Sequence, residues 1–219
     1  IKVADIITKL KKGTIPTKAF EHSIPEWLAE TLEKELGENW EKEMRALNEQ
    51  APTILRANTL KTSAKHLIEE LQHENVESFQ VRGVENAVQL EEKKNVFLTS
   101  AFKDGLFEVQ DAGSQKIGEF LDVKPGMRVV DACAGAGGKT LHLAAMMENK
   151  GQIIAMDIHG WKLAELKRRA KRAGAHNIET REITDNKVIK RLHEKADRLL
   201  IDAPCSGLGV LKRNPDSKW

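Results

Sequence analysis

Two short loops in this chain carry residue types that can do chemistry. The first, Asp131-Ala-Cys-Ala-Gly-Ala-Gly-Gly-Lys-Thr140, closes one short apolar run, and the second, Asp202-Ala-Pro-Cys-Ser-Gly207, closes another. Glycine has no Cβ and lets a backbone approach a ligand closely. Carboxylates at such loop positions can accept hydrogen bonds from sugar hydroxyls, and a thiol can act as a nucleophile. Together the two loops predict a nucleoside-cofactor site with a cysteine beside it.

Three nucleotide-binding patterns compete for the first loop. A P-loop needs a glycine, four residues, then Gly-Lys-Ser/Thr. Gly138-Lys139-Thr140 fits that ending, but Cys133 stands where the first glycine belongs, so the P-loop reading fails. A dinucleotide fingerprint, G-x-G-x-x-G, is met by Gly135 and Gly137 but has Thr140 in place of the third glycine. What survives is a glycine turn between a strand and a helix, with Asp157 about 20 residues further on, where it could accept from both ribose hydroxyls. The helix start at Lys139 would offer free N–H groups to a carboxylate. These features suit S-adenosylmethionine at least as well as a dinucleotide. The plainer readings are a glycine-rich turn without a ligand and, for Asp157, a solvated strand end.

The elements that must hold these loops follow from periodicity. Ser23-Ile-Pro-Glu26 reads as a capping box, Leu28, Leu32 and Leu36 recur every four residues, and Gly37 supplies a stop. A second short helix is expected over 40–48. From Pro52 the pattern changes to a strand at 54–58, a helix with Ala64, Leu67, Ile68 and Leu71 on one face, and short strands near Phe79, 87–90 and 96–98. This small α+β unit is expected to end near Lys103-Asp-Gly105. Beyond it, strands at 128–131, 152–157, 178–181 and 198–202 alternate with helices at 140–147, 162–173 and 186–194. That rhythm predicts a parallel sheet with helices on its faces and ligands at the carboxyl ends of the strands. The expected division is a helical arm (1–50), a small α+β domain (51–105) and an α/β core (106–219).

Composition bounds the class. With 40% hydrophobic and 31% charged residues among 219, the chain is globular in type. No apolar run approaches the roughly 20 residues of a membrane span, and Ile1-Lys-Val-Ala-Asp5 lacks the apolar stretch of a signal peptide. Cys133 and Cys205 are the two cysteines, too few for a zinc cage, so no metal is expected and a reducing cytoplasm fits. A net charge of +2 and a pI near 8.5 permit an RNA partner without arguing for one. The start at Ile1 and the stop at Trp219 within a charged stretch lead us to expect a piece of a longer protein.

Val109-Gln-Asp-Ala-Gly-Ser-Gln115, the glycine loop and Asp202-Ala-Pro-Cys-Ser-Gly-Leu-Gly209, taken in that order, resemble the NOL1/NOP2/Sun-type RNA cytosine-C5 methyltransferases. His22-Ser-Ile-Pro-Glu-Trp27, Leu55-Arg-Ala-Asn-Thr-Leu-Lys61 and Asn214-Pro-Asp-Ser-Lys-Trp219 extend the resemblance over nearly the whole chain. It implies a class I, Rossmann-like α/β core that uses S-adenosylmethionine, preceded by a small α+β RNA-recognition-like domain, with ribosomal RNA as partner. The implied chemistry is addition of a cysteine thiolate to cytosine C6, attack of C5 on the methyl group, loss of the C5 proton and elimination of the thiol. By the same resemblance, Cys133, Ala134, Gly135, Ala136, Gly137, Gly138 and Lys139 would wrap the methionine and ribose portions. Asp157 would bind the ribose hydroxyls and Asp185 the adenine amino group, although Asp185 could equally cap the next helix. Asp202 would sit near the methionine end and the target base. Gly135-Ala136 stands where the family commonly has Ala-Pro, which should loosen the turn.

In that family the attacking cysteine belongs to a later Thr-Cys motif, while the Pro-Cys residue, here Cys205, assists product release. No cysteine follows Cys205, and the strands that would complete the family's sheet are absent, so the chain is expected to keep the cofactor groups without turning over. For RNA, Arg56 and Lys61 on the small domain, and Lys212 and Arg213 beyond the cysteine loop, are the candidates. The cations Lys162, Lys167, Arg168, Arg169, Lys171 and Arg172 read as a solvated helix face in preference to an RNA stripe. With 5% aromatic residues and no Tyr, backbone and shape contacts should dominate. His142 receives no role, and Met146-Met147 should pack in the core. The rivals are a non-catalytic RNA-binding protein with a vestigial pocket and a dinucleotide-dependent oxidoreductase, the latter disfavoured by the cysteine loop and the missing third glycine.

Overall fold

The computed structural model describes residues 17–218, which form two compact units. Residues 1–16 of the expected helical arm, and Trp219 of the last motif, lie outside the described residues.

One unit combines residues 17–51 with 205–218. Helices α1 (Lys18–Glu21), α2 (Glu26–Leu36) and α3 (Trp40–Asn48) close over Ala19, Ile24, Leu28, Trp40 and Met44. The capping box does not form. Ser23 is left-handed (φ 53°), which an N-cap residue with its extended backbone cannot be, so Pro25 takes the N-cap position. Glu26 instead accepts from the Thr17 hydroxyl at 2.5 Å. The segment from Cys205 runs through two 3-10 turns and returns to the end of α3. There Lys218 donates to Asn48, and Lys212 pairs with Glu49 at 3.2 Å.

The other unit, Pro52–Pro204, contains two four-stranded sheets. The first is built from β1 (Ile54–Ala57), β2 (Ser78–Gln80), β3 (Ala87–Leu90) and β4 (Phe107–Val109). It is antiparallel, in the order β2-β3-β1-β4. Helix α4 (Ala64–His73), capped by the Ser63 hydroxyl, lays Leu67 and Leu71 on Leu55, Val88 and Phe107. Residues 96–98 form a 3-10 turn and not the expected strand, because the Asn95 side chain takes the Phe97 N–H (3.2 Å) and Thr99 caps the next helix, α5 (Ser100–Lys103). The sheet instead takes β4 as its fourth strand, beyond Gly105, where periodicity had ended the small unit. Its Phe-Glu-Val alternation spans only three residues, and burial runs against it, with Glu108 buried and Val109 exposed.

After α6 (Ala112–Phe120) come β5 (Arg128–Asp131), α7 (Gly138–Met146), β6 (Gln152–Asp157), α8 (Gly160–Ala173), β7 (Ile178–Glu182), α9 (Asn186–Lys190) and β8 (Arg198–Leu200). The four strands are parallel in the order β7-β6-β5-β8. Ile153, Ile154, Ala155 and Met156 are all buried, as expected of a central strand covered on both faces. The chain begins in the middle at β5, moves outward to β7 and crosses back to β8. The switch point therefore lies between β5 and β8, where ligands bind in such sheets. Gly174, left-handed at φ 74°, ends α8. Helix α9 is shorter than the 186–194 pattern: Leu192 and His193 make only three-residue turns, and Glu194 is left-handed.

Polar side chains of the small sheet join it to the second layer. Asn58 donates to Gly105 O and Ala173 O, both at 2.8 Å, and Lys61 to Asp104 O and Arg172 O, both at 2.7 Å. Glu108 pairs with Arg169 (2.8 Å) and Arg172 (2.6 Å). Those two arginines thus leave the wet face assigned to them from sequence, while Lys167, Arg168 and Lys171 stay exposed. Arg56, an expected RNA contact, is buried at 2% exposure, since β1 lies inside the sheet between β3 and β4. Gly105 (φ 72°) abuts the end of α8 so closely that a Cβ there would lie 2.1 Å from Arg172 O. Gly105→Ala is expected to destabilise this unit by about 2–4 kcal/mol, from strain plus a backbone clash, measured as a lowered urea midpoint.

Candidate cofactor site

A cleft of about 250 Å³ opens at the carboxyl ends of β5 and β8. Asp131, Cys133, Ala134, Gly135, Gly138 and Lys139 line it from the β5–α7 connection, Asp202 from beyond β8, and Gln110 and Ser114 from the β4–α6 segment. A larger depression of about 510 Å³ lies at the β2–β3 connection, lined by residues 80–85 and Glu119, and includes none of the residues of the two loops singled out from sequence.

The loop is shaped by hydrogen bonds to its backbone. Asp157, at the end of β6 and 8% exposed, accepts from Gly135 N–H through Oδ2 (2.9 Å) and from His159 N–H through Oδ1 (2.8 Å). Ala134 N–H donates to Met156 O at 2.8 Å and Gly137 N–H to Ala134 O at 2.9 Å. Gly137 is left-handed (φ 89°), and a Cβ on it would lie 2.6 Å from the Leu166 side chain, so both conformation and packing require glycine there. A Cβ on Gly135 or Gly138 would meet nothing within 4 Å, which leaves their backbone open to a ligand.

Asp131 closes the floor. Its Oδ2 accepts from the Thr140 hydroxyl at 2.7 Å, while Oδ1 is shielded from water without a partner among the described residues. Burial pushes its carboxyl up to about 6, against the Thr140 hydrogen bond and the Cys133 backbone, which lower it. At the rim, Lys139 pairs with Asp202 at 2.5 Å. Cys133 is held above the usual thiol range, first by burial and then by Asp131, Asp157 and Asp202, so it lines the site as a neutral thiol. Behind the loop, burial lowers Arg56 to about 9 and His142 to about 3; His142 packs against Gly118, where a Cβ would lie 2.5 Å from its Nδ1.

Of the residues named from sequence, Cys133, Ala134, Gly135, Gly138, Lys139 and Asp202 come together in the cleft. Ala136 and Gly137 form the back of the loop, and Asp157 holds it. Asp185 is exposed and caps α9, accepting from Lys187 N–H (2.7 Å) and Val188 N–H (3.3 Å). Cys205 is exposed with a free thiol in the helical unit. Asp131, Thr140, Gln110 and Ser114 were not singled out. For Asp131 the available signal was its position, a carboxylate ending a strand just before the glycine loop. Gln110 follows a strand of the other sheet, and Ser114 and Thr140 lie in helices, so spacing pointed to none of these three.

A family model described as 16S rRNA methyltransferase RsmB/F matches residues 119–219, and the ferredoxin-like domain of the same methyltransferases matches 24–97. The chain belongs to the RsmB/F family. A Synechocystis protein described as probable ribosomal RNA small subunit methyltransferase B is 37% identical over 203 residues, covering 91% of this chain and 45% of that protein. Its Bacillus subtilis counterpart is 36% identical, covering 92% and 45%. The crystal structure of a methyltransferase homologue from Pyrococcus horikoshii superposes with a TM-score of 0.79 at 30% identity, covering 91% of this chain and 65% of that one. The chain thus spans about half the length of the curated relatives it matches. Its architecture is that of a class I methyltransferase core with an incomplete sheet of four strands among the described residues, preceded by a small ferredoxin-like α+β domain.

RsmB/F proteins are S-adenosylmethionine-dependent, and the residues here fit that cofactor. The unpartnered Asp131 Oδ1 suits its ammonium group, the first turn of α7 its carboxylate, and the open faces of Gly135 and Gly138 allow close backbone approach. Among the described residues no group of His, Cys, Asp or Glu could hold a metal, and no helix is long and apolar enough to cross a membrane.

Proposed function

We propose that this chain is the cofactor-binding portion of a cytoplasmic enzyme that methylates cytosine C5 in 16S ribosomal RNA. The observation that carries this reading is the cleft at the β5–β8 switch point, where a glycine loop, an unpartnered carboxylate oxygen and the Lys139–Asp202 pair converge. The bound cofactor supplies an electrophilic methyl group. Residues Cys133–Lys139 enclose its methionine and ribose portions, with Asp131 on the ammonium, Asp157 on the ribose and Asp185 on the adenine amino group. Asp202 hydrogen-bonds the target base and stabilises charge as the ring is attacked, and Lys139 holds that carboxylate ready at the rim. Cys205, three residues further along the chain, assists product release. Ribosomal RNA is held through the small domain and through Lys212 and Arg213, by backbone and shape.

Without a cysteine after Cys205, the 219-residue chain is expected to bind the cofactor and not turn over. Calorimetry should show saturable S-adenosylmethionine binding, while incubation with tritiated cofactor and 16S RNA leaves no label in the RNA. A folded chain that binds no cofactor removes the proposal, and labelled RNA removes the assignment of the nucleophile to another position.

Affinity is also expected to depend on pH through Asp131. Its carboxyl titrates near 6 when folded, above the ordinary aspartate value, so it is protonated below that pH. A neutral acid no longer attracts an ammonium, and binding should weaken as pH falls from 7 to 5. The effect on stability has its own sign. A raised folded value means that the native state binds the proton more tightly, so this residue's contribution to stability falls between about pH 4 and 6 as pH rises. Asp131→Asn should therefore be at least as stable as the parent at pH 7, yet bind weakly and without this pH dependence. Wild-type affinity in that variant would take the ammonium away from Asp131.

A further inference from the structure

The cofactor loop is glycine-rich and should be loose, yet two of its carbonyls are held from outside. Ala136 O accepts from Arg169 Nη1 at 2.8 Å, and Gly138 O from Arg56 Nη1 at 2.7 Å. These two carbonyls flank Gly137, the left-handed pivot of the turn. Neither arginine belongs to the loop. Arg56 rises from β1, deep in the small sheet, and also donates to the Gln110 amide oxygen. Arg169 stands on α8 but is bound through Nε and Nη2 to Glu108 of β4, at 3.2 and 2.8 Å. Both connections therefore end in the small antiparallel sheet.

We propose that Arg56 and Arg169, the latter set by Glu108, are positioning residues through which the small sheet fixes the shape of the cofactor loop and so governs cofactor affinity. The proposal rests on the S-adenosylmethionine reading of this cleft. In a trans peptide the carbonyl and the following N–H point in opposite directions. Turning the Gly138 carbonyl toward Arg56 thus turns the Lys139 N–H the other way, into the unpaired first turn of α7. Arg169 and Arg172 share the single carboxylate of Glu108, and Arg56, bonded to Gln110 and Gly138 O, adds a third positive charge close enough to feel both Glu108 and Arg169. That excess of positive charge favours an anionic group, such as an amino-acid carboxylate, on the loop's open side.

The test uses the whole chain with Arg169→Gln and Arg169→Lys, and Lys61→Met as the comparison. A lysine at 169 can still pair with Glu108 but cannot also reach Ala136 O, while Lys61→Met removes two bonds of the same layer junction without touching the loop. Amide hydrogen exchange over 134–138 and calorimetric titration with S-adenosylmethionine are read together with the melting midpoint. Both Arg169 variants should exchange faster across the loop, keep β1 and β3 protected, and bind roughly tenfold more weakly, about 1.4 kcal/mol. Lys61→Met should lower the midpoint and leave loop exchange and affinity unchanged. Wild-type loop exchange in the folded Arg169 variants would overturn the proposal, as would an equal effect of Lys61→Met. If the parent chain binds no S-adenosylmethionine, the functional reading fails, and loop exchange alone still decides whether the arginines position the loop.

Discussion

Asp157→Ala is expected to weaken S-adenosylmethionine binding by roughly 100-fold or more, the equivalent of about 3 kcal/mol, in a chain that still folds. The size follows from what the carboxylate holds. One oxygen takes the Gly135 N–H and the other the His159 N–H, so a single side chain ties the cofactor loop and the β6–α8 turn to the end of β6. Hydrogen bonds to a charged group are worth about 1.5–3 kcal/mol each, and alanine leaves both donors without an acceptor. Stability should fall by about 2–3 kcal/mol, since two such bonds are lost but both donors sit near the surface and can reach water. Asp157→Asn distinguishes shape from charge. Its amide oxygen can keep one of the two N–H groups while its NH₂ faces the other, so binding should be intermediate. Calorimetry of the parent and both variants, with circular dichroism to establish folding, reads the outcome. A folded Asp157→Ala chain with parental affinity would mean that Asp157 neither shapes the loop nor reaches the ribose.

Glu108→Ala should give the largest loss of stability, about 3–5 kcal/mol, as expected when one partner is removed from a buried ionic cluster. The Glu108 side chain is 4% exposed and binds Arg169 and Arg172 together. Without it, Arg169 and Arg172 have no carboxylate partner among the described residues, and the buried Arg56 loses a nearby charge that favours its cationic form. Arg172 also stacks on Phe102, 3.9 Å from the ring centroid, so its displacement would disturb the small domain's core as well. For a chain of this length a loss of that size lowers the melting midpoint by roughly 10 °C. Glu108→Gln should lose less, because its amide oxygen still accepts from one arginine. A loss below about 1 kcal/mol for Glu108→Ala would show that the arginines find water when the carboxylate is gone.

Local order was readable from residue types and spacing. The strand–glycine loop–helix unit at 128–146, the alternation that follows it and the four-stranded parallel sheet all depend on short-range patterns: apolar runs that must be buried on both faces, and glycines where φ must be positive. The same spacing put six of the expected residues into one cleft, because strands running in parallel end at the same edge. Periodicity failed where a side chain bonded its own backbone, as Asn95 and Thr99 do in the 3-10 turn, and where Ser23 adopted a left-handed conformation that bars the cap its sequence suggested.

Long-range partners left no such trace. Arg56 and Gly138 are 82 residues apart, and Glu108 and Arg169 are 61 apart. In sequence, Arg56 is one cation on a candidate RNA surface and Arg169 one of several on a helix. Only the packing of β1 and β4 beside α8 buries them and turns them onto the loop's carbonyls. The unpartnered oxygen of Asp131 is of the same kind: an aspartate ending a strand is common, and its desolvation comes from what closes over it. Residue types and their periods govern which elements form and at which sheet edge the loops meet, since those depend on neighbours in the chain. Which charges are buried, and what each one holds, depends on groups brought together from distant parts of the chain, and it came into view with the folded chain.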